Sequence, residues 1–216
     1  MNIDILENDM RNIAIFGGTG DVGKIIVDKF LSSGNIVKVL SRNPAITSER
    51  KNVHFITGNV LQVADVQKCV EVGDSVIITL GFNNSREDTM SQGTKNIISV
   101  MLERKSNRLI CLSAQGAGDS WENMPQTFKE MVLNDPILEA SFKDHGVQED
   151  MVKSSNLTWT IVRPTEIVAT PESGKFIVNG FDETLTYQIS KYDVAQFMVD
   201  ELHQNKYVRQ VAMITS

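Results

Sequence analysis

Gly17, Gly18, Gly20 and Gly23 stand in the run Ile13-Ala14-Ile15-Phe16-Gly17-Gly18-Thr19-Gly20-Asp21-Val22-Gly23-Lys24. Gly18, Gly20 and Gly23 fit the spacing GxGxxG, and Gly17, Gly20 and Gly23 fit GxxGxxG. An apolar strand that breaks into such a turn and then opens a helix has a physical use. The backbone can come close to a phosphate, and the unpaired N–H groups of the first helical turn point at it. Gly17, Thr19, Gly20, Asp21, Val22 and Gly23 are therefore expected to hold the pyrophosphate of a dinucleotide.

The end of the second apolar run says which dinucleotide. A ribose 2′-hydroxyl is usually met there by Asp or Glu, a 2′-phosphate by cations and hydroxyls. Residues 36–48 contain no acid but do contain Ser41 and Arg42, and a guanidinium suits a phosphate in charge and shape. The expected cofactor is NADP(H). Asn59 and Val60 follow the third run, where an adenine would lie. Asn59 can donate to and accept from a base edge, or it can simply fix its own turn. Gly81 follows the fourth run and would let backbone pass close to a ribose.

Ser113 ends the fifth run, on the sheet edge where α/β sites form. It could bond a substrate carbonyl or a nicotinamide amide, or only cap its own strand. His145 and Glu149 are four residues apart on an expected helix and share a face. They are candidates for orienting substrate or moving protons, against the alternative of a solvent-facing pair. Ser113, Glu149 and His145 make up the candidate catalytic set. Residues 114–121, Ala-Gln-Gly-Ala-Gly-Asp-Ser-Trp, read as a flexible loop. Phe82, Gln115, Trp121 and Thr165 are candidate walls of a substrate pocket, and Pro164 is a candidate contact to the cofactor. Tyr187 and Lys191 spell YxxxK, but across a short strand and the start of a helix after strand six. A catalytic pair needs both residues on the helix after strand five.

These positions require a particular scaffold. Near-continuous apolar strands are expected at about 12–16, 36–40, 53–57, 75–80, 108–113 and 159–162. Helices are expected at about 22–33, 63–72, 90–105 and 138–155, the start of the last marked by Asp135-Pro136. Strands buried on both faces and separated by helices mark an α/β fold, a doubly wound parallel sheet flanked by helices. Short strands near 175–178 and 186–189, a helix near 192–202 and a strand near 208–214 form a small C-terminal elaboration. The expected organisation is an extension over residues 1–10 and one nucleotide-binding domain over 11–216.

The chain has 216 residues and a net charge of −6, with scattered Lys and Arg, so nucleic acid is not an expected partner. No apolar stretch approaches a membrane span. The N-terminal residues include Asp4, Glu7 and Asp9, unlike a secretory or transit peptide. Cys69 and Cys111 lack metal-site spacing and read as buried reduced thiols, with no metal expected. A cytoplasmic protein, monomeric or a small homo-oligomer, is the expectation.

The motifs also form a recognisable set. It comprises the stretch 13–23, Val39-Leu40-Ser41-Arg42, Gly58-Asn59-Val60, the stretch 112–120, Asp144-His145-x-x-Gln148-Glu149, the stretch 157–164 ending Val162-Arg163-Pro164, and Ile189-Ser190-Lys191-x-Asp193. Over nearly the whole chain from about residue 11 it resembles the atypical short-chain dehydrogenase/reductases, in particular the group similar to biliverdin IXβ reductase (flavin reductase) and the NmrA-like NAD(P)H-binding proteins. The resemblance implies a Rossmann fold that binds NADP(H) without the usual Tyr–Lys pair. It implies hydride transfer straight to a stacked planar acceptor such as a flavin, quinone or biliverdin-like molecule, with the proton from solvent or a weakly contributing side chain. Ser113 matches the serine of that group, Glu149 stands where the flavin reductase has a histidine, and Asn59 replaces the more usual Asp. The alternative within the same resemblance is a regulator that senses NADP(H) and binds a partner without turnover. Epimerase or dehydratase chemistry is a third reading, but it generally needs the Tyr–Lys pair and a larger C-terminal domain.

Overall fold

The computed structural model describes residues 11–43, 51–82, 88–180 and 187–216. The extension expected over residues 1–10 lies outside them. The chain runs β1 (Asn12–Phe16), α1 (Asp21–Ser32), β2 (Ile36–Ser41), β3 (Val53–Thr57), α2 (Val63–Cys69), β4 (Ser75–Ile78), α3 (Thr89–Glu103) and β5 (Arg108–Leu112). A 3₁₀ turn (Gly118–Asn123), α4 (Gln126–Leu133), α5 (Pro136–Ser154) and β6 (Thr158–Pro164) follow. The chain ends with β7 (Glu166–Val168), β8 (Ile177–Val178), β9 (Gln188–Ser190), α6 (Lys191–Gln204) and β10 (Gln210–Thr215).

Eight strands form one sheet in the order β3-β2-β1-β4-β5-β6-β10-β8. All its pairings are parallel except that of β8 with β10. The doubly wound Rossmann-type sheet expected from the apolar runs is thus present. Both faces are buried because alternate residues of one strand feed two cores. Ile13 and Ile15 of β1 pack with Ile26 and Phe30 of α1 and Met198 of α6. Ala14 and Phe16 pack on the other face with Val66 of α2, Ile97 of α3 and Val152 of α5. The strand order reverses between β1 and β4, the switch point at which α/β proteins open a crevice beyond the strand ends.

One expectation needs correction. Residues 114–121 are not a flexible loop. Ser120 Oγ accepts from Gly116 N (3.0 Å) and donates to Ala117 O (2.6 Å), which winds the chain into the 3₁₀ turn. The 126–133 stretch is helical, and Trp121, Phe128 and Phe142 stack edge to face at 6.3 and 5.5 Å. The long helix starts at Pro136, where the Asp135-Pro136 signal puts it: Asp135 accepts from Ile137 N and Leu138 N, and proline is favoured at the first helical position. Cys69 and Cys111 are buried, and burial pushes the Cys69 thiol up to about 12. Among the described residues no helix is long and apolar enough to cross a membrane.

Candidate functional site

The glycine turn is built by close backbone contact. Gly17 sits at φ +90°, and a Cβ there would lie 2.3 Å from the carbonyl oxygen of Thr79, just past β4. A Cβ on Gly23 would lie 2.2 Å from Gly17 O, so α1 can rest on the turn only without a side chain at that position. Gly20 N donates to Gly17 O at 2.9 Å and closes the turn.

Gly20 is also the N-cap of α1 and offers no capping side chain, so the N–H groups of Asp21, Val22 and Gly23 keep the open valence of a helix start. The other long helices are treated differently. Asp135 caps α5 and Ser190 caps α6. The first turn of α3 is held from a neighbouring helix, as Met90 N and Ser91 N donate to Asp144 of α5 at 2.9 and 3.1 Å. The uncapped start of α1, with its side-chain-free approach, fits a diphosphate, which Asp21 would meet through its backbone because its carboxylate repels anions.

A cavity of about 330 Å³ opens at this point. Gly17, Thr19, Gly20, Ser41, Arg42, Asn59, Val60, Gly81 and Phe82 line it, as the sequence suggests; Asp21, Val22, Gly23, Ser113 and Pro164 do not. Phe16, Leu40, Gly58, Leu61, Thr79, Leu80 and Thr89 complete the wall. Apart from Gly58, these are apolar residues and threonines, which carry no chemical signal of their own. Strand ends border the crevice, and that rule could have found those that follow or end β1 to β4, though not Thr89 at the start of α3.

Within the cavity, Arg42 is exposed and makes no hydrogen bond or ion pair with a described residue. Its neighbour Ser41 is buried and accepts from Asn43 N at 3.2 Å. Asn59 uses Oδ1 on its own turn, accepting from Leu61 N at 3.1 Å, while its backbone N donates to Asp65. Nδ2 of Asn59 makes no bond with a described residue and Oδ1 keeps a second lone pair, so donation to a base edge and acceptance from one are both compatible with its turn-fixing role. Val60 is pressed into place by α3, where a Cβ on Gly93 would reach its side chain at 2.9 Å, and where Asn96 donates to its carbonyl.

Ser113 and Glu149 come together beyond β5. The Ser113 hydroxyl donates to Glu149 Oε1 at 2.7 Å. Glu149 is fully buried, which overturns the alternative of a solvent-facing pair. Arg163 of β6 grips it side-on, with Nε to Oε1 at 2.8 Å and Nη2 to Oε2. Lys153 Nζ lies 3.2 Å from Oε2, and Asp119 takes the other side of Nη2. Burial would push the Glu149 carboxyl up, but the hydrogen bonds from Arg163 and Ser113 outweigh it and hold the carboxyl below its ordinary value. An ionised carboxylate only accepts, so the Ser113 proton is committed to it and the oxygen's lone pairs remain.

His145 is half-buried on the same helix. Burial lowers its pKa, and its neutral Nδ1–H donates to Gln148 at 3.2 Å. Gln148 in turn donates to Thr94 of α3 at 2.9 Å. The inner face of α5 therefore serves three places at once: Asp144 the start of α3, Gln148 its second turn, and Glu149 the serine and β6.

The candidate substrate walls separate. Phe82 lines the first cavity. Gln115 lines a second one of about 300 Å³ together with Asp119 and Arg163. Trp121 belongs to the aromatic stack, and Thr165 bonds Thr215 at 3.0 Å, while Pro164 is buried in β6. Tyr187 is 55% exposed ahead of β9, and Lys191 opens α6.

The sheet resembles that of ChuY, an anaerobilin reductase from Escherichia coli (TM-score 0.80, 18% identity, 94% of this chain and 96% of that one). It resembles equally the oxidoreductase ylbE from Lactococcus lactis (TM-score 0.80, 16% identity, 94% and 90%). A short-chain dehydrogenase/reductase from Veillonella parvula, solved in complex with NADP, superposes with a TM-score of 0.78 at 17% identity (95% and 94%). At these identities the likeness shows the fold. The family model described as NAD(P)H-binding matches residues 17–205. With its glycine turn, uncapped helix start and crevice at the switch point, this chain belongs to the NAD(P)H-binding family.

Proposed function

We propose that the protein is an NADPH-dependent reductase that delivers hydride to a planar conjugated acceptor. The observation that carries the proposal is the first cavity. It runs from the uncapped start of α1 past an exposed Arg42, which has no partner among the described residues, on one side and reaches Gly81 and Phe82 on the other. Arg42 is the group for a 2′-phosphate, the N–H groups of α1 are the group for the pyrophosphate, and Nδ2 of Asn59 can donate to the adenine. Bound reduced nicotinamide would supply one hydride, two electrons with one proton, and the acceptor takes a second proton to balance the charge.

We assign Ser113, just past the end of β5, to the reacting end. With its own proton held by Glu149 it serves as an acceptor, so it can orient an N–H of the nicotinamide amide or of the substrate. The balancing proton then comes from solvent. Arg163 and Lys153 keep Glu149 ionised, which keeps this polarity fixed. NADPH and NADH consumption with a panel of flavins and quinones tests the proposal. Consumption of NADPH in preference to NADH with at least one acceptor is expected; no consumption at high protein concentration refutes it. One observation favours a second reading, cofactor sensing without turnover: Ser113 is only 3% exposed, so an acceptor reaches it only if neighbouring side chains move. In that case NADPH binds and none is consumed.

A further inference from the structure

Four consecutive residues, Gly58, Asn59, Val60 and Leu61, line the first cavity. Their place along it follows from the sheet. Ser41 pairs with Thr57, and Gly58 N donates to Ser41 O at 2.9 Å, so the 58–61 loop starts beside the end of β2 and Arg42. Gly81 and Phe82 follow β4, which lies across β1 from β2. The loop therefore borders the Arg42 side of the cavity, with β2 and β1 between it and the Phe82 side.

One carboxylate holds this loop. Asp65 is the third residue of α2, a position from which an acidic side chain commonly reaches back to the N–H of the residue that caps its own helix. Here that residue, Gln62, has already turned its N–H to Asn59 O at 2.9 Å. Asp65 Oδ2 reaches past it and accepts from Asn59 N at 2.9 Å. The approach is close. A Cβ on Gly58 would lie 2.7 Å from Asp65 Cβ and 2.9 Å from Leu40 Cδ1, so the loop passes between α2 and β2 only without a side chain there. Lys68 Nζ meets Asp65 Oδ1 at 2.7 Å, and this bond and the one from Asn59 N hold the carboxyl below its ordinary value. Leu61 N donates to Asn59 Oδ1 at 3.1 Å, so Asn59 is fixed through its backbone by Asp65 and through its side chain by its own turn. Asp65 itself does not line the cavity. We propose that Asp65 is a positioning residue for the cofactor: its carboxylate fixes the 58–61 loop in the shape that receives the nucleotide half lying on the Arg42 side. This rests on the cofactor reading of the first cavity and not on turnover.

Calorimetric titration of NADP⁺ and of 2′,5′-ADP, the half that carries the 2′-phosphate, into wild type, Asp65→Ala, Asp65→Asn and Lys68→Met tests the role. Alanine is a good helix former and Asp65 belongs to neither buried core, so Asp65→Ala keeps its fold. A hydrogen bond to a charged group is worth about tenfold or more, so both ligands are expected to bind Asp65→Ala about tenfold more weakly, and by the same factor. A general loosening of the sheet edge would instead cost NADP⁺ more than 2′,5′-ADP, because the nicotinamide half would lose contacts as well. Asp65→Asn keeps an oxygen for Asn59 N, and Lys68→Met keeps the Asp65–Asn59 bond, so each is expected within about threefold of the wild type. Unchanged affinity in Asp65→Ala, unequal losses for the two ligands, or a loss in Asp65→Asn or Lys68→Met as large as in Asp65→Ala overturns the inference. No binding of either ligand by the wild type refutes the cofactor reading, and this role with it. The expected binding pattern with no turnover of any acceptor sinks only the reductase reading.

Discussion

Removal of Arg42 tests the choice of cofactor at the place where the structure gives it least excuse. The side chain is exposed, lines the first cavity and contacts no described residue, so Arg42→Ala takes nothing from the fold. Stability should stay within about 0.5 kcal/mol. For a 2′-phosphate the loss is electrostatic. Unit charges 4 Å apart attract by about 1 kcal/mol in bulk water and about 4 kcal/mol at a surface-like dielectric constant of about 20. Net hydrogen bonds to charged groups fall at about 1.5–3 kcal/mol. The exposure of Arg42 favours the lower half of that range, about 2 kcal/mol, or roughly thirtyfold in Kd. Calorimetric titration should show NADP⁺ binding about thirtyfold more weakly to Arg42→Ala, with NAD⁺ changed by less than about threefold because it has no phosphate to lose. The wild-type preference for NADP⁺ should also shrink with added salt, as exposed charge pairs do. Equal effects on both nucleotides, or no effect on NADP⁺, would refute the assignment of Arg42.

Three further outcomes follow from geometry already described. Gly20→Ala places a Cβ 3.3 Å from Gly17 O, whereas Gly23→Ala drives one to 2.2 Å from the same atom. The first should weaken NADP⁺ binding at nearly unchanged melting temperature, and the second should lower both, by about 1–3 kcal/mol in stability. Glu149→Ala leaves the Arg163 guanidinium without its main partner in a buried setting, so urea denaturation should report a loss of about 3–5 kcal/mol; a loss under about 1 kcal/mol would mean that the ion pair is not formed. His145 is held neutral by burial, with its pKa lowered in the fold. The unfolded chain therefore takes up a proton first, and this contribution to stability is lost as pH falls through the ordinary value of about 6.5. The stability of the wild type relative to His145→Leu should accordingly drop between pH 7.5 and 5.5, above the range where carboxylates titrate; a difference independent of pH would count against a buried neutral imidazole.

What the sequence could and could not convey has physical causes. The run from Ile13 to Lys24 is legible because strand, turn and helix start are adjacent in the chain, and the required glycines are set by local backbone contacts. The state of Glu149 is not legible from α5 alone, since its partners Ser113 and Arg163 lie in two other strands. A signal existed in β6: Arg163 falls on the same face as Trp159 and Ile161, both buried, and a cation on a buried strand face requires an acid opposite it. The helical stretch 126–133 was hidden by the glycines at 116 and 118 before it. Its order comes from Phe128 packing between Trp121 and Phe142, a contact across sequence that no local period predicts.

The carboxylate of Asp144 has a consequence for how the wall of the first cavity opens. Amide protons at the start of a helix ordinarily exchange with solvent readily, because nothing in the helix accepts from them. Those of Met90 and Ser91 are instead gripped by a side chain from α5 and can exchange only when α3 and α5 separate there. Thr89, beside them, lines the cavity. The deuterium uptake of two neighbouring amides thus becomes a clock for the breathing of the cofactor crevice.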